Sequence, residues 1–205
     1  MPRLLIATNN AGKLGEYGAL LEGCGWELVG PAQVRLQLSV DEPGPDYATN
    51  ARIKAEAFAK ASGLVTLADD SGLEVDALDG GPGPLSARYA GTNQTDREGV
   101  DLLLANMKDV PPERRQARFR CVIALADPAG PVELFEGECP GVIVKRPRGH
   151  RGFGYDPVFY LPEFGRTMAE LTPDEKNAIS HRARAAMKAC TILRNTLRER
   201  SRKYA

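Results

Sequence analysis

The sequence predicts an α/β fold with a mixed central β-sheet flanked by helices. Three observations carry that prediction. Short apolar runs of strand length alternate with amphipathic stretches of helix length. Two long strand signals, residues 118–126 and 132–144, are joined by Asp127-Pro128-Ala129-Gly130, which has the Asp, Pro and Gly placement of a type I turn. That pair is a hairpin, so the sheet is mixed rather than all parallel. The third observation is size: 205 residues with 42% hydrophobic content can build a substantial core, and one domain over 1–205 is expected.

The elements follow in order. Residues 3–7 read as a buried first strand. Thr8-Asn9-Asn10-Ala11-Gly12-Lys13 comes next, and its Thr and Asn residues are cap and turn formers, so a helix is placed over 13–21. Residues 23–29 return to a strand. Residues 30–46, rich in Pro, Gly and acids, read as a loop around a short strand at 34–40. The clearest amphipathic helix of the first half covers 47–62. Ala51, Ala55, Phe58, Ala59 and Ser62 share one face there, and Arg52, Glu56 and Lys60 lie elsewhere. Gly63 is its stop signal. Residues 64–68 read as a short buried strand, and 73–76 alternate like a second, half-buried one. Residues 79–94 carry Gly-Gly-Pro-Gly-Pro and form a long loop, a kind that is often functional. A helix over 96–107 precedes the hairpin, and a Gly-, Pro- and Arg-rich loop at 146–157 follows it. Thr172-Pro173-Asp174-Glu175 is a capping box with Pro at the first helical position, so a helix begins there. Ser180 is placed as the cap of a second segment running to about residue 200.

Composition excludes several classes. Charge is balanced at 27 basic against 27 acidic residues, so net charge implies no nucleic-acid surface. No apolar run approaches a membrane span, and the first residues are too short and too soon interrupted for a signal peptide. A soluble cytoplasmic protein is expected. Cys24, Cys121, Cys139 and Cys190 have neither a Cys-x-x-Cys pair nor zinc spacing. They are expected as buried small hydrophobes rather than ligands or disulfides.

The candidate chemistry centres on Ala68-Asp69-Asp70-Ser71-Gly72, where two adjacent carboxylates arrive at the expected strand end. Charges there are costly unless paired, hydrated or bound to a metal. A hard cation with oxygen ligands suits them, and Mg²⁺ keeps waters that a carboxylate can activate. The bland alternative is a solvated Asp-Ser-Gly turn. Between the first strand and first helix, residues 8–13 suit a phosphate: backbone N–H groups and the helix dipole favour anions, and Lys13 adds charge. An ordinary capped turn is the alternative, and the spacing is not that of a Walker loop. Gly152-Phe153-Gly154-Tyr155-Asp156-Pro157 offers an aromatic face for a nucleobase and a carboxylate for a ring N–H, or else a tight turn whose aromatics plug the core. Ser180-His181-Arg182, with Lys176 upstream, can supply donors to a base carbonyl; a structural histidine is the competing reading.

Five separated segments together resemble the inosine triphosphate pyrophosphatase family. They are Thr8-Asn9-x-x-x-Lys13, Ala68-Asp69-Asp70-Ser71-Gly72-Leu73, Pro82-Gly83 with Ser86-Ala87-Arg88-Tyr89, Gly152-Phe153-Gly154-Tyr155-Asp156-Pro157, and Lys176-x-x-x-Ser180-His181-Arg182. They stand in the family's order and span almost the whole chain. The resemblance implies an elongated fold with two lobes around an active-site cleft, and a homodimer. It implies hydrolysis of ITP, dITP and XTP to the monophosphate and pyrophosphate, with Mg²⁺ as cofactor. Asp70 matches the family's catalytic acid–base position, which also contacts the metal, and Glu42 falls where the family places a metal-binding acid. Thr8, Asn9, Asn10, Ala11, Gly12 and Lys13 match the phosphate-binding segment. Ser71, Phe153, Gly154, Tyr155, Asp156, Lys176, His181 and Arg182 match other substrate contacts. The chain departs from the family's pattern in one region. In Glu42-Pro43-Gly44-Pro45-Asp46-Tyr47-Ala48-Thr49-Asn50-Ala51, the usual second Glu is Thr49, and Asp46, one turn earlier, is the carboxylate that could offset the loss.

On this reading Lys13 and nearby amides neutralise charge moving onto the leaving pyrophosphate. Asp70, with Asp69 beside it, positions a water. Donors at His181 and Arg182 suit the C6 carbonyl of hypoxanthine and xanthine and oppose adenine's amine. Two rivals remain at this point: a house-cleaning enzyme for modified pyrimidine triphosphates, and a nucleotide sensor that does not cleave. Fold analogy alone does not separate them.

Overall fold

The computed structural model describes the backbone of residues 1–203 and the side chains of residues 1–196. Strand β1 (Arg3–Ile6) is followed by α1 (Ala11–Leu20), which starts two residues before the expected position. The reason is local: Asn10 is the N-cap, and its side chain accepts from the Lys13 N–H at 3.0 Å. Strand β2 (Glu27–Val29) comes next, then a 3-10 turn at Pro31–Val34. Helix α2 (Tyr47–Ser62) has the expected bounds. Asp46 caps it by accepting from Thr49 N–H at 2.8 Å, and Gly63 ends it in the left-handed conformation, φ 68°.

Strand β3 (Val65–Val75) then runs unbroken for 11 residues, with a 3-10 turn at Gly83–Arg88 after it. Helix α3 (Asp96–Asn106) opens with a Thr95–Glu98 capping box. Strands β4 (Gln116–Ala126) and β5 (Val132–Ile143) match the two long strand signals. Strands β6 (Phe159–Leu161) and β7 (Arg166–Thr167), α4 (Pro173–Ile179) and α5 (His181–Lys203) complete the chain. The Thr172–Glu175 capping box forms as its spacing required.

The sheet order is β2-β1-β3-β4-β5-β6-β7. β1 pairs in parallel with β2 and β3, while β5, β6 and β7 pair antiparallel. The sheet is therefore mixed, as expected.

The chain divides into two compact units, and β3, β4 and β5 each contribute residues to both. The first unit takes Met1–Asp70, Cys121–Gly137 and the chain from Arg182. Its strands bury alternate residues on opposite faces. Leu4, Ile6, Leu67 and Ile123 pack with Tyr17 of α1 and with Ala185, Ala186 and Ala189 of α5. Leu5, Ala68, Val122 and Ala124 pack with Ala51, Ala55 and Phe58 of α2. Small alanine side chains let both helices lie close to the sheet. The second unit takes Ser71–Arg120 and Glu138–His181. Leu73, Val75, Phe119, Ile143 and Phe159 form its core with Val100 and Leu103 of α3 and with Met107, which caps that helix.

Three expectations are corrected here, and two strands that the sequence did not signal are added. Asp69 and Asp70 do not lie at a strand end: the segments at 64–68 and 73–76 are one strand, because the acids between them find partners within the fold. Residues 34–40 form no strand. Val34, Leu36, Leu38 and Val40 do face the core, half-buried, so the period-two pattern reported packing rather than pairing. The sheet extends through β6 and β7, too short to signal from a Gly- and Pro-punctuated sequence. Cys24 and Cys190 pair as a disulfide with Cα atoms 5.7 Å apart, while Cys121 and Cys139 are free and buried as expected.

Candidate active site

The first unit holds two linked polar groups. In one, Asp69 is only 2% exposed, and its Oδ2 lies 2.9 Å from Lys13 Nζ and 3.5 Å from Arg182 Nε. Arg182 is equally buried, and its Nη1 lies 2.5 Å from Glu16 Oε2. Burial alone would push the Asp69 carboxyl up, but the Lys13 and Arg182 charges hold it well below the ordinary carboxylate range. Burial likewise opposes the Arg182 charge, and Asp69 and Glu16 more than restore it. Lys13 reaches Asp69 because α1 begins at the turn after β1, with β1 beside β3.

In the other group, Asn50 on α2 donates from Nδ2 to Asp70 Oδ2 at 3.0 Å. Its Oδ1 accepts the Gly44 N–H at 2.8 Å. One amide thus orients Asp70 and fastens the loop that carries Glu42. Gly44 has to be glycine: a Cβ there would sit 2.7 Å from Asn50 Oδ1. One turn further along α2, Lys54 Nζ donates to the Asp69 carbonyl at 2.9 Å and lies 2.7 Å from Glu42 Oε1. Burial raises the Asp70 carboxyl above its usual value, and the Glu42 charge adds to that. Asn50, Lys13 and Lys54 oppose the rise without cancelling it. A carboxylate tuned upward and held at one oxygen suits proton transfer.

The remaining first-unit candidates sit at the start of α1. Thr8 Oγ1 accepts the Asn10 N–H at 3.2 Å, so Thr8 and Asn10 shape the turn. Asn9, Ala11 and Gly12 are exposed beside it. Asp46 does not offset the missing second Glu: it caps α2, with Thr49 N–H on one oxygen and Thr49 Oγ1 3.1 Å from the other. Cys121 is no nucleophile, since burial and Asp69 push its thiol up to about 12.

In the second unit, Ser71 continues β3 directly after Asp70. Lys176 Nζ lies 2.5 Å from Asp156 Oδ2 and 4.8 Å from the Phe153 ring centroid. Asp156 Oδ2 also accepts the Phe153 N–H at 3.0 Å. Gly154 N–H donates to Asp96 at 2.7 Å, and the buried Tyr155 donates its hydroxyl to the Ser86 carbonyl at 2.9 Å. His181 stacks on Phe119 with ring centroids 4.9 Å apart. The structure thus joins Phe153, Asp156 and Lys176 into one group, and Lys13, Asp69 and Arg182 into another.

Sequence reasoning assigned no role to Glu16, Asn50, Lys54 or Asp96. Asn50 and Lys54 left a usable signal: they are polar residues spaced i, i+4 on α2 next to the buried Ala51 and Ala55. Glu16 and Asp96 left none, because their partners lie 166 and 58 residues away.

Among the described residues, no cluster of three or more His, Cys, Asp or Glu side chains is arranged for a metal ion. Glu42 and Asp70 nevertheless fit Mg²⁺, which needs only one or two carboxylates and keeps several waters. Burial is the main cause of the raised Asp70 carboxyl and the Glu42 charge adds a smaller part; a divalent cation would offset both.

A mixed sheet covered by helices, with the Asp70 carboxylate beside buried ion pairs, defines an α/β protein with a polar, charged group on its sheet. The chain belongs to the Ham1 family, whose model matches residues 4–192. It is 49% identical over 191 residues to a dITP/XTP pyrophosphatase of Desulforamulus reducens, covering 93% of this chain and 95% of that protein. It is also similar to the solved structure of a HAM1 protein from Coxiella burnetii, with TM-score 0.85, 41% identity, and 94% of this chain and 98% of that one covered. The Staphylococcus aureus Ham1 protein matches with TM-score 0.84 and 38% identity over 95% of this chain and 99% of that one.

Proposed function

We propose that this chain hydrolyses the non-standard purine nucleoside triphosphates ITP, dITP and XTP to the monophosphate and pyrophosphate, and so cleanses the nucleotide pool. The observation that carries the mechanism is Asp70: a carboxylate raised above its usual value, held at Oδ2 by Asn50, in a strand whose next acid is fully ion-paired. Curated relatives that this chain matches over most of its length are named dITP/XTP pyrophosphatases, which favours this reading over the pyrimidine-acting rival. A sensor has no need of a tuned base, which favours catalysis.

Asp70 accepts the proton of the attacking water, and Asn50 keeps the carboxylate turned toward it. Water adds across the anhydride between the α- and β-phosphates, and pyrophosphate departs. Lys13 and the residues from Thr8 to Gly12 bind the phosphate chain, where the N-terminus of α1 favours negative charge. Asp69 is not the base. It is the counter-charge that holds Lys13 and Arg182 in place. Glu42 and Asp70 would hold Mg²⁺, which supplies charge neutralisation at the phosphoryl oxygens when bound. Phe153 stacks on the purine, Asp156 and Lys176 hold the loop that carries it, and His181 and Arg182 face the C6 carbonyl. Ser71 contacts the substrate next to Asp70. The homodimer implied by the resemblance and the cytoplasmic setting expected from the sequence belong to this proposal. Light scattering that returned only a monomer would remove the dimer from it.

The test is pyrophosphate release from ITP, XTP, GTP, ATP and dTTP, each with and without Mg²⁺. ITP and XTP should lead by a wide margin and require the metal. Preference for dTTP, or binding without release, would overturn the proposal.

A further inference from the structure

The segment Pro82-Gly83 with Ser86-Ala87-Arg88-Tyr89 and the helix that follows it take no part in the mechanism above. Two of their contacts, at Asp96 and at the Ser86 carbonyl, reach the loop of Gly152-Phe153-Gly154-Tyr155-Asp156. We propose that Asp96 is a positioning residue for base recognition, which together with the Tyr155–Ser86 bond fixes the loop that presents Phe153 to the purine. This inference rests on the proposed role of Phe153.

The physical need is clear from the loop itself. Gly152 and Gly154 flank Phe153, and both have positive φ, 74° and 61°. Glycine is the residue for such angles, but it is also the residue with the most freedom to lose. A Phe between two glycines is therefore held only lightly by its own backbone, whose carbonyl accepts the Asp156 N–H at a long 3.3 Å. Order has to come from bonds made by neighbouring groups. Three bonds among the described residues bear on this. Phe153 N–H donates to Asp156 Oδ2, which Lys176 also holds. Gly154 N–H donates to Asp96 Oδ2 at 2.7 Å, a charge-assisted bond. Tyr155 donates to the Ser86 carbonyl at 2.9 Å.

The anchors of the last two bonds are themselves rigid. Asp96 is the first residue of α3, where the helix dipole favours its charge and the Thr95–Glu98 capping box fixes the turn. Ser86 is held twice: its hydroxyl donates to the Gly83 carbonyl at 2.6 Å and accepts the Leu73 N–H at 2.8 Å. Gln94 Nε2 donates to the same Ser86 carbonyl at 3.1 Å, and its Oε1 accepts the Ala90 N–H. The long loop is thus a strap that ties strand β3, just beyond Asp70, to the aromatic loop. The Asp96 side chain is solvent-exposed and bonds the loop directly, so its removal spares the buried core. That makes it the residue through which the idea can be tested cleanly.

The experiment measures kcat and KM for ITP in the parent protein and in Asp96→Ala, Asp96→Asn, Phe153→Ala and the Asp96→Ala/Phe153→Ala double variant, with melting temperatures alongside. Asp96→Ala should raise KM about threefold to tenfold, the loss of one exposed charge-assisted hydrogen bond, with kcat within about twofold of the parent. Asp96→Asn keeps an acceptor and should recover most of the affinity. The double variant should match Phe153→Ala alone, because Asp96 acts only through Phe153. Three results would overturn the inference while leaving the base-stacking role intact: a KM rise in Phe153→Ala but none in Asp96→Ala, additive effects in the double variant, or a melting-temperature loss in Asp96→Ala with unchanged kinetics. An unchanged KM in Phe153→Ala would instead remove the stacking role itself and this inference with it.

Discussion

Substituting Asp69 by Asn removes a buried charge while keeping the shape of the side chain. In the native fold that carboxylate faces Lys13 Nζ at 2.9 Å and Arg182 Nε at 3.5 Å, and it is 2% exposed. At an effective dielectric of about 20, the Lys13 pair alone carries roughly 6 kcal/mol of gross attraction before desolvation is subtracted. Breaking a buried pair from one side costs about 3–5 kcal/mol net, because the partner charges stay behind. An Asn amide also turns donors toward cations that have only donors. Each kcal/mol moves the melting temperature of a chain this size by about 2–4 °C, so a loss of about 6–20 °C is expected at pH 7. The pH dependence gives a second check. The folded Asp69 carboxyl lies below its ordinary value, so the native state releases this proton more readily than the unfolded chain. Its stabilisation is complete above the unfolded value of about 3.9 and is lost as pH falls below it. Thermal unfolding followed by circular dichroism from pH 7 to pH 3 should show the gap between parent and variant closing at the acid end. A variant melting within about 2 °C of the parent at pH 7, or a gap that stays constant into acid, would refute the assignment of Asp69 as a structural counter-charge.

Asp70→Asn should lower kcat by about 10²–10⁴-fold, the usual contribution of a general base. It should melt no lower than the parent at pH 7, since the raised carboxyl of Asp70 is stabilising only when protonated and that stability is lost as pH rises through its folded value; near-parental turnover at saturating Mg²⁺ would dismiss Asp70 as the base. Asn50→Leu removes the bond that opposes the rise of the Asp70 carboxyl. The acid limb of the kcat/KM profile should therefore move to higher pH, and a limb that stays in place would show that Asn50 does not tune it. Lys13→Ala should weaken ITP binding far more than inosine binding in calorimetric titrations; equal losses would rule out a phosphate contact. Arg182→Ala leaves Glu16 and Asp69 without their shared guanidinium, and should narrow the ITP-to-ATP ratio of kcat/KM in addition to lowering the melting temperature; lost stability with an unchanged ratio would make Arg182 purely structural.

Local rules determined much of this protein from the chain alone. The bounds of α2, the capping box at Thr172–Glu175, the two long strands around Asp127–Gly130 and the mixed sheet all follow from side chains that act within a few residues of themselves. The five spaced segments likewise identified the family. What the sequence could not decide were properties set by distant partners. Asp69-Asp70-Ser71-Gly72 has the composition of a turn, yet it lies inside β3. Burying its charges becomes tolerable only when Lys13, Asn50, Lys54 and Arg182 arrive from three helices. The same holds for residues 34–40, whose alternation found a core but no neighbouring strand, and for Cys24 and Cys190, 166 residues apart, which the packing of α5 beside the end of α1 brings together. Helix caps and turns are chosen over a few residues, where the chain's own covalent geometry brings donor to acceptor. Buried charge is settled only by whatever the whole fold places beside it, and here that decides which of two adjacent aspartates is held by ion pairs and which by an asparagine amide.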